Sequence, residues 1–529
     1  MGNIFLTLLL LSSIFSIASS RRGPSSSNID WWCKLTPHPE PCKHYITQIN
    51  PHSKIKHKNE FRGMLVHLAL KLALGMQREA HVTLQNMETK KHRTVHGDCL
   101  KLYGNTIFHL NRTHHSLHLE KGSSPDDTQT WLATSLTNIR TCGTGAVELN
   151  AQDFMFPTES SNVTQMIRNG LAINADFMKY KESAAKNYTS ETERTFPNWF
   201  SGHERKLLQS SSVKANYVVA KDGSGNFKTV QGALNAAAKR RYKTRFVIHV
   251  RKGVYRENIE VAVKNDNIML VGDGMKNTII TSGRSVQAGY TTYSSATAGI
   301  DGLHFIARDI TFQNIAGPQK GQAVALRSAS DLSVFYRCAI LGYQDTLMVH
   351  AQRQFYKQCQ IYGTVDLIFG NAAVVFQNCK IFAKKPLDGQ ANMITAQGRD
   401  DPFQNTGITI HNSEIRAAPD LKPVVNKHNT FLGRPWQQYS RVVVLKTFMD
   451  TLVSPLGWSS WDDTDFALDT LYYGEYENSG PGSSVTNRVQ WPGFHVITSP
   501  AEASRFTVNG LLTGSMWLPE TTVPFTSGL

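Results

Sequence analysis

Two periodicities divide this chain. From Asn59 to about Lys181, apolar residues recur every three or four positions, as in GMLVHLALKLALGMQREAHVTLQNM and, later, DDTQTWLATSLTNIRTC. Pro125-Asp126-Asp127 makes a good start for the later helix, because acidic side chains suit a helix N-terminus. Several such helices with short connections predict an all-α, antiparallel four-helix bundle. From Asn216 onward the pattern changes to short β-type runs with frequent Gly. These runs repeat a frame: ITFQNIA, SVFYRCAI, RQFYKQCQI, VVFQNCKI and, after a longer gap, ITIHNSEI. A repeat of this length predicts an all-β parallel β-helix, each coil stacked on the last at a strand spacing of about 4.8 Å.

The frame aligns chemistry as well as core. Asp345 and Asp366 each lie seven residues after a cysteine, Cys338 and Cys359. In the first repeat Ile315 takes the cysteine's place, and Gln322 follows seven residues later. This register predicts a column of Gln322, Asp345 and Asp366 on one face, with the two carboxylates about 5 Å apart. Carboxylates that close do not ionise independently: one holds a proton while the other stays charged, which supplies an acid and a nucleophile.

The ends and breaks of the chain add a compartment. Met1 to Ser20 contains an apolar run, Ile4 to Ile17, followed by the small residues Ala18, Ser19 and Ser20. At about fourteen residues against the roughly twenty that span a bilayer, it reads as a removable signal peptide and predicts a secreted protein with no membrane span after its removal. Residues 30–185 form the helical part and 213–529 the β part, joined by a polar linker, 186–208, that holds Arg205-Lys206-Leu207-Leu208. Glycosylation sequons begin at Asn111, Asn162 and Asn187, and most histidines precede Leu208 in polar stretches that read as solvated surface. Of the seven cysteines, four lie in the helical part, where Cys33–Cys42 and Cys99–Cys142 are the expected bonds. In the β part, coil register permits Cys338–Cys359 or Cys359–Cys379 but not Cys338–Cys379, with Cys338–Cys359 the expected pair. No cysteine pair has zinc-site spacing, and no metal or organic cofactor is expected.

The net charge of +15 is shared by both parts: from Gln209 onward 32 basic residues face 24 acidic ones. A basic secreted protein suits an acidic partner, and without a basic-aromatic recognition motif nucleic acid is a poor candidate beside an acidic wall polysaccharide. There is also no Gly-x-Ser-x-Gly elbow to suggest a serine esterase.

Two resemblances sharpen these expectations. Cys33 to Cys42 and Asp127 to Cys142 resemble the plant invertase and pectin methylesterase inhibitor family, which implies a four-helix bundle behind a disulfide-bonded hairpin. Asn216 to Leu529 is similar to plant pectin methylesterases in five ordered motifs: Gly253–Glu257, Gln322–Leu326, Gly342–Leu347, Tyr362–Gly370 and Leu432–Trp436. That resemblance implies a right-handed parallel β-helix that hydrolyses the C6 methyl esters of homogalacturonan, releasing methanol. It makes Asp366 the nucleophile, Asp345 the general acid and later base, and Gln322 and Gln344 the oxyanion donors. Arg434 would orient Asp366, while Trp436 and Thr292 would contact the sugar chain. In two-part members of the family, Arg205-Lys206-Leu207-Leu208 resembles a subtilase-type processing site, and the bundle is an inhibitor-like pro-region.

Leu367, Met348 and Gly321 depart from the residues usual in these motifs and are expected to flank the cleft. A glycosidase on the same architecture is the rival reading, since two carboxylates about 5 Å apart also suit glycoside hydrolysis with retention. A non-catalytic, wall-binding role is a second.

Overall fold

The structure, a computed structural model, describes residues 29–49, 54–83, 89–119, 123–152, 157–186, 214–241 and 244–529. The leader Met1–Ser20, the Asn187 sequon and the Arg205-Lys206-Leu207-Leu208 segment lie outside the described residues.

Helices α1 (Ile29–Cys33) and α2 (Pro39–Ile49) form a hairpin closed by the Cys33–Cys42 disulfide. Helices α3 (Lys58–Thr83), α4 (Lys90–Leu117), α5 (Pro125–Glu148) and α6 (Pro157–Lys186) then pack in a ring, each against two neighbours. Their apolar stripes meet in a core that includes Phe61, Leu65, Leu102, Leu132, Leu136, Ile167 and Leu171. The Cys99–Cys142 disulfide ties α4 to α5. Helix α5 begins where the sequence predicts. Ser124 Oγ accepts the Asp127 N–H at 3.1 Å while the Asp127 carboxylate accepts the Ser124 N–H at 3.1 Å. Two histidines depart from the expected solvated surface: His96 is buried against the Ala80 carbonyl at 2.7 Å, and His109 is buried beside Gln352 of the β part. Asn111 is exposed on α4 and Asn162 is half-buried on α6.

Beyond Tyr217 the chain winds into three long parallel sheets of eleven, eight and seven strands, successive coils adding a strand to each. In-register stacking brings like on like. Phe335, Tyr356 and Phe376 lie on successive coils with ring centroids 4.6 and 4.7 Å apart, close to the strand spacing itself. At one corner of each coil the chain turns through a left-handed residue, repeated at Asp309, Arg337, Gln358, Asn378, Asn412 and Lys446. Helix α7 (Val230–Ala238) packs Val230, Ala233, Leu234 and Ala237 onto the first coils. Glu257, the last residue of the first β-part motif, accepts the N–H groups of Val230 and Gln231, each at 2.9 Å, and so caps that helix. At the other end of the chain, Val508, Leu512, Trp517 and Leu518 cover the outer face of the largest sheet around Val247, Met269 and Phe355.

Two register expectations are corrected. Ala339 pairs with Thr311, so Ile310, not Ile315, stands in the row of Cys338. The chain then takes eleven residues, 315–325, to reach the next strand, where the following coil takes five. Gln322 therefore reaches the site from a longer loop and not from the repeat. The second correction concerns the thiols. Cys338, Cys359 and Cys379 do align across coils, yet all three are free and buried, so the expected Cys338–Cys359 bond is absent. A disulfide needs Cβ atoms about 3.8 Å apart, whereas side chains that project side by side from aligned strands sit near the 4.8 Å ladder spacing. The sulfurs turn to main-chain carbonyls instead, Cys359 to Phe335 O at 3.2 Å and Cys379 to Tyr356 O at 3.5 Å.

Thiol titration of the unreduced, denatured protein should count the three free cysteines of the β part. A count of one would show that two of the three are bonded after all, as Cys338–Cys359 or Cys359–Cys379.

Candidate active site

Asp345 and Asp366 occupy the same place on neighbouring coils. Leu347 pairs with Ile368, and the Asp345 N–H donates to Val365 O at 3.0 Å, which puts the two aspartates side by side at one strand spacing. Both adopt left-handed backbone, with φ of 59° and 50°, a conformation that aspartate tolerates better than most side chains. Both are nearly buried, and their environments differ. Asp366 receives a two-pronged bond from Arg434, Nε to Oδ1 at 2.9 Å and Nη2 to Oδ2 at 2.7 Å. The Arg434 guanidinium in turn lies 4.2 Å over the Trp461 ring. Asp345 Oδ1 is buried with no hydrogen-bond partner. Burial first, then the charges of Asp366 and Glu148, push the Asp345 carboxyl well above the usual carboxylate range, with Arg434 opposing. The pair thus divides into an aspartate clamped by Arg434 and a neighbour whose carboxyl holds its proton more tightly than usual.

The other expected residues gather around this pair. Gln322 and Gln344 line the same cavity, of about 190 Å³, with Thr292, Arg434 and Trp436. Ala323 N–H donates to Gln344 O at 3.2 Å, which sets Ala323 beside Asp345 and Gln322 beside Gln344. The predicted column of three is therefore two columns, one of aspartates and one of glutamines. Neither glutamine side chain makes a hydrogen bond among the described residues, so both amides remain available as donors. Trp436 packs edge-on to Phe369 with centroids 5.9 Å apart, and it needs a glycine behind it, since a Cβ at Gly398 would lie 2.7 Å from the indole. Of the three departures, Met348 lines the cavity, but Leu367 is buried in the coil interior and does not flank the cleft. Gly321 is absent from the cavity wall; its φ of 66° favours glycine.

Sequence reasoning made the bundle an inhibitor-like pro-region but singled out none of its residues at the site, and α5 lies directly over it. Thr141, Thr144, Gly145 and Glu148, spaced along one helical face, line the cavity opposite the aspartates. Glu148 is held by Thr292, whose N–H donates at 2.9 Å and whose hydroxyl donates at 2.6 Å. Burial raises the Glu148 carboxyl, and likewise that of Asp98 on α4, which the Thr291 hydroxyl holds next door. Gly145 permits the approach: a Cβ there would stand 3.0 Å from Thr291 Cγ2. The bundle core runs on without a break into the cleft wall at Tyr293, Val324, Met348, Phe369 and Ala396. Ion pairs frame the contact, with Lys101 to Asp301 at 2.9 Å, Arg140 to Asp400 at 3.0 Å and Arg353 to Asp127 at 2.7 Å. The sequence signal for Glu148 would have been its seven-residue spacing from Thr141 on a helix whose opposite face is core.

Comparison with known proteins agrees with both halves. The family model for pectinesterase matches residues 216–515, and that for plant invertase/pectin methylesterase inhibitor matches 27–173. The chain is 53% identical to a "probable pectinesterase/pectinesterase inhibitor" of Arabidopsis thaliana, across 99% of this chain and 97% of that protein. It is 50% identical to "pectinesterase 2" of Citrus sinensis, across 99% of each. Among solved structures, the pectin methylesterase from carrot is 57% identical, with a TM-score of 0.59, and matches over 61% of this chain and all of its own.

Replacing Asp366 with Asn removes one of the charges that keep Asp345 protonated and frees Arg434 to favour its ionised form. The infrared carbonyl band of the Asp345 acid should therefore disappear at a lower pH in Asp366→Asn than in the parent. An unchanged titration would show that burial alone sets the Asp345 proton.

Proposed function

The chain belongs to the pectinesterase family, a pectinesterase carrying an inhibitor-family bundle ahead of it, and we infer that it removes C6 methyl esters from homogalacturonan through Asp366 and Asp345. The observation that carries this reading is the unequal carboxylate pair, one clamped by Arg434 and one buried with an unpartnered oxygen. Asp366 attacks the ester carbonyl carbon, and the carbonyl electrons pass to oxygen, where the free amides of Gln322 and Gln344 donate hydrogen bonds. One good donor of this kind contributes on the order of 3 kcal/mol to the transition state. As the intermediate collapses, the C–O bond to the methoxy group breaks and Asp345 supplies its proton, so methanol leaves and an acyl-enzyme remains. Asp345, now ionised, takes a proton from water. The resulting hydroxide adds to the acyl carbon, and collapse frees the Asp366 carboxylate and a galacturonic acid, which gives up its proton to water.

Trp436 offers the sugar chain a flat face, and Thr292 offers two donors that Glu148 engages in the uncut chain. The glycosidase alternative leaves the two free amides and the Arg434 clamp without a task. The acidic product suits the positive chain, and secretion to the cell wall follows from the leader and the substrate. Cleavage by a subtilase-type protease at Arg205-Lys206-Leu207-Leu208 would separate bundle from enzyme.

Before that cut, α5 closes the cleft. Asp366→Asn should abolish methanol release from methylated pectin, and Asp345→Asn should slow it about 10²- to 10⁴-fold. Arg434→Lys keeps the charge, loses the planar fork, and should lower the rate sharply with the fold intact. Full activity in Asp366→Asn would sink the nucleophile assignment.

Inhibition by the bundle has its own test. Chain kept whole by Arg205→Ala and Lys206→Ala should be much less active than the fragment from Gln209. Adding Gly145→Leu, which clashes with Thr291 across the contact, should restore activity without touching a reacting group. Equal rates for whole and cut protein would leave the bundle a folding aid.

A further inference from the structure

A second cleft, of about 590 Å³, lies apart from the catalytic cavity and is lined by four arginines, Arg353, Arg399, Arg441 and Arg505, with Asp126 of the bundle on its wall. Arg353 is already paired with Asp127 and Asp331. Arg399 and Arg441 are held by carbonyl groups alone. Arg441 Nε donates to Thr406 O at 2.8 Å and Nη2 to Gln404 O at 3.1 Å, while Arg399 Nε donates to Gln404 O at 2.8 Å and Nη1 to Tyr439 O at 3.2 Å. Nη1 of Arg441 has no hydrogen-bond partner among the described residues. The carboxylates nearest Arg399 are committed elsewhere: Asp400 to Arg140 and Arg168, Asp401 to Arg168. Two further acids lie close by: Glu502 accepts the Tyr472 hydroxyl at 2.6 Å, and Asp126 faces the three arginines Arg399, Arg441 and Arg505 from the bundle side of the cleft. Burial, together with the neighbouring Arg399 and Arg505, holds the Arg441 guanidinium well below its usual range, and burial brings Arg399 down to about 10. Positive charge is thus gathered here beyond what the surrounding acids neutralise, which is the electrostatic condition for an anion site.

We propose that this cleft, formed in the uncut chain between the bundle and the β part, is a second polysaccharide site, which binds the free carboxylates of de-esterified galacturonan. The proposal rests on the reading that the product carries those carboxylates. The cleft is larger than a single inorganic anion requires and falls within the range that holds a small organic ligand.

Binding of trigalacturonate to the full-length chain, followed by calorimetry at low salt, tests the proposal. Arg505→Glu lies on the exposed rim and should weaken binding at least about tenfold. Arg441→Gln should do the same, provided that its circular dichroism matches the parent. Asp366→Asn should leave binding unchanged, so a failure of the catalytic assignment, seen as methanol release that persists in that variant, stays separate from a failure here. Equal affinity in the parent and both arginine variants would overturn the proposal. So would loss of binding in Asp366→Asn, which would put the ligand in the catalytic cavity. Arginine-dependent binding of inorganic phosphate with none of trigalacturonate would overturn it too, leaving a small-anion pocket.

Discussion

Every feature of the β part depends on one constraint: parallel strands stacked in register lay like side chains on one another at a fixed spacing. For Phe335, Tyr356 and Phe376 that repetition is favourable, since each ring stacks on the next and no apolar surface is left over. For Asp345 and Asp366 it is unfavourable, because two carboxylates at one strand spacing in a buried cleft repel each other. The fold relieves this by treating them differently. Arg434, two coils on from Asp366, arrives on a strand of the same sheet and satisfies both oxygens of one aspartate. The other keeps an unpartnered oxygen, and its carboxyl is pushed well above the usual carboxylate range. Stacking thereby sets two like side chains in unlike surroundings.

How far the sequence reveals this follows from the same constraint. The seven-residue offset from Cys338 to Asp345 and from Cys359 to Asp366 is legible because both coils have nearly equal length, so counting in one predicts the other. The count fails at Gln322, where an eleven-residue loop replaces a five-residue one and an isoleucine five positions early holds the row. Periodicity carries information only while the period holds. The thiols fail for a different reason. Register places Cα atoms within disulfide range, but the bond is set by Cβ positions and sulfur directions, which a one-dimensional frame does not contain. The resemblance of the bundle to an inhibitor family announced a cover for the cleft, but not the residues of α5 that make the contact. Glu148 and Thr292 are 144 positions apart, and on a helix a face that packs on another domain has the same period as one that packs on its own core.

That contact also shows why net charge is a poor guide to whether two halves of a chain attract. Both parts are positive, yet the seam pairs Lys101 with Asp301, Arg140 and Arg168 with Asp400, and Asp127 with Arg353. Partly buried ion pairs of this kind roughly break even against the desolvation of their members, so they set the register of docking more than its strength. The strength must come from the shared apolar surface, where α5 and its neighbours complete the core that Tyr293, Val324, Met348 and Phe369 leave open. Some of those residues, Met348 and Phe369 among them, also wall the catalytic cavity. A cleft that must accept a sugar chain is bound to expose such a surface, and exposed apolar surface of that size invites a cover. Placing the cover on the same chain meets that demand, and residues that wall the catalytic cavity, Thr292, Met348 and Phe369 among them, are the ones that hold the bundle.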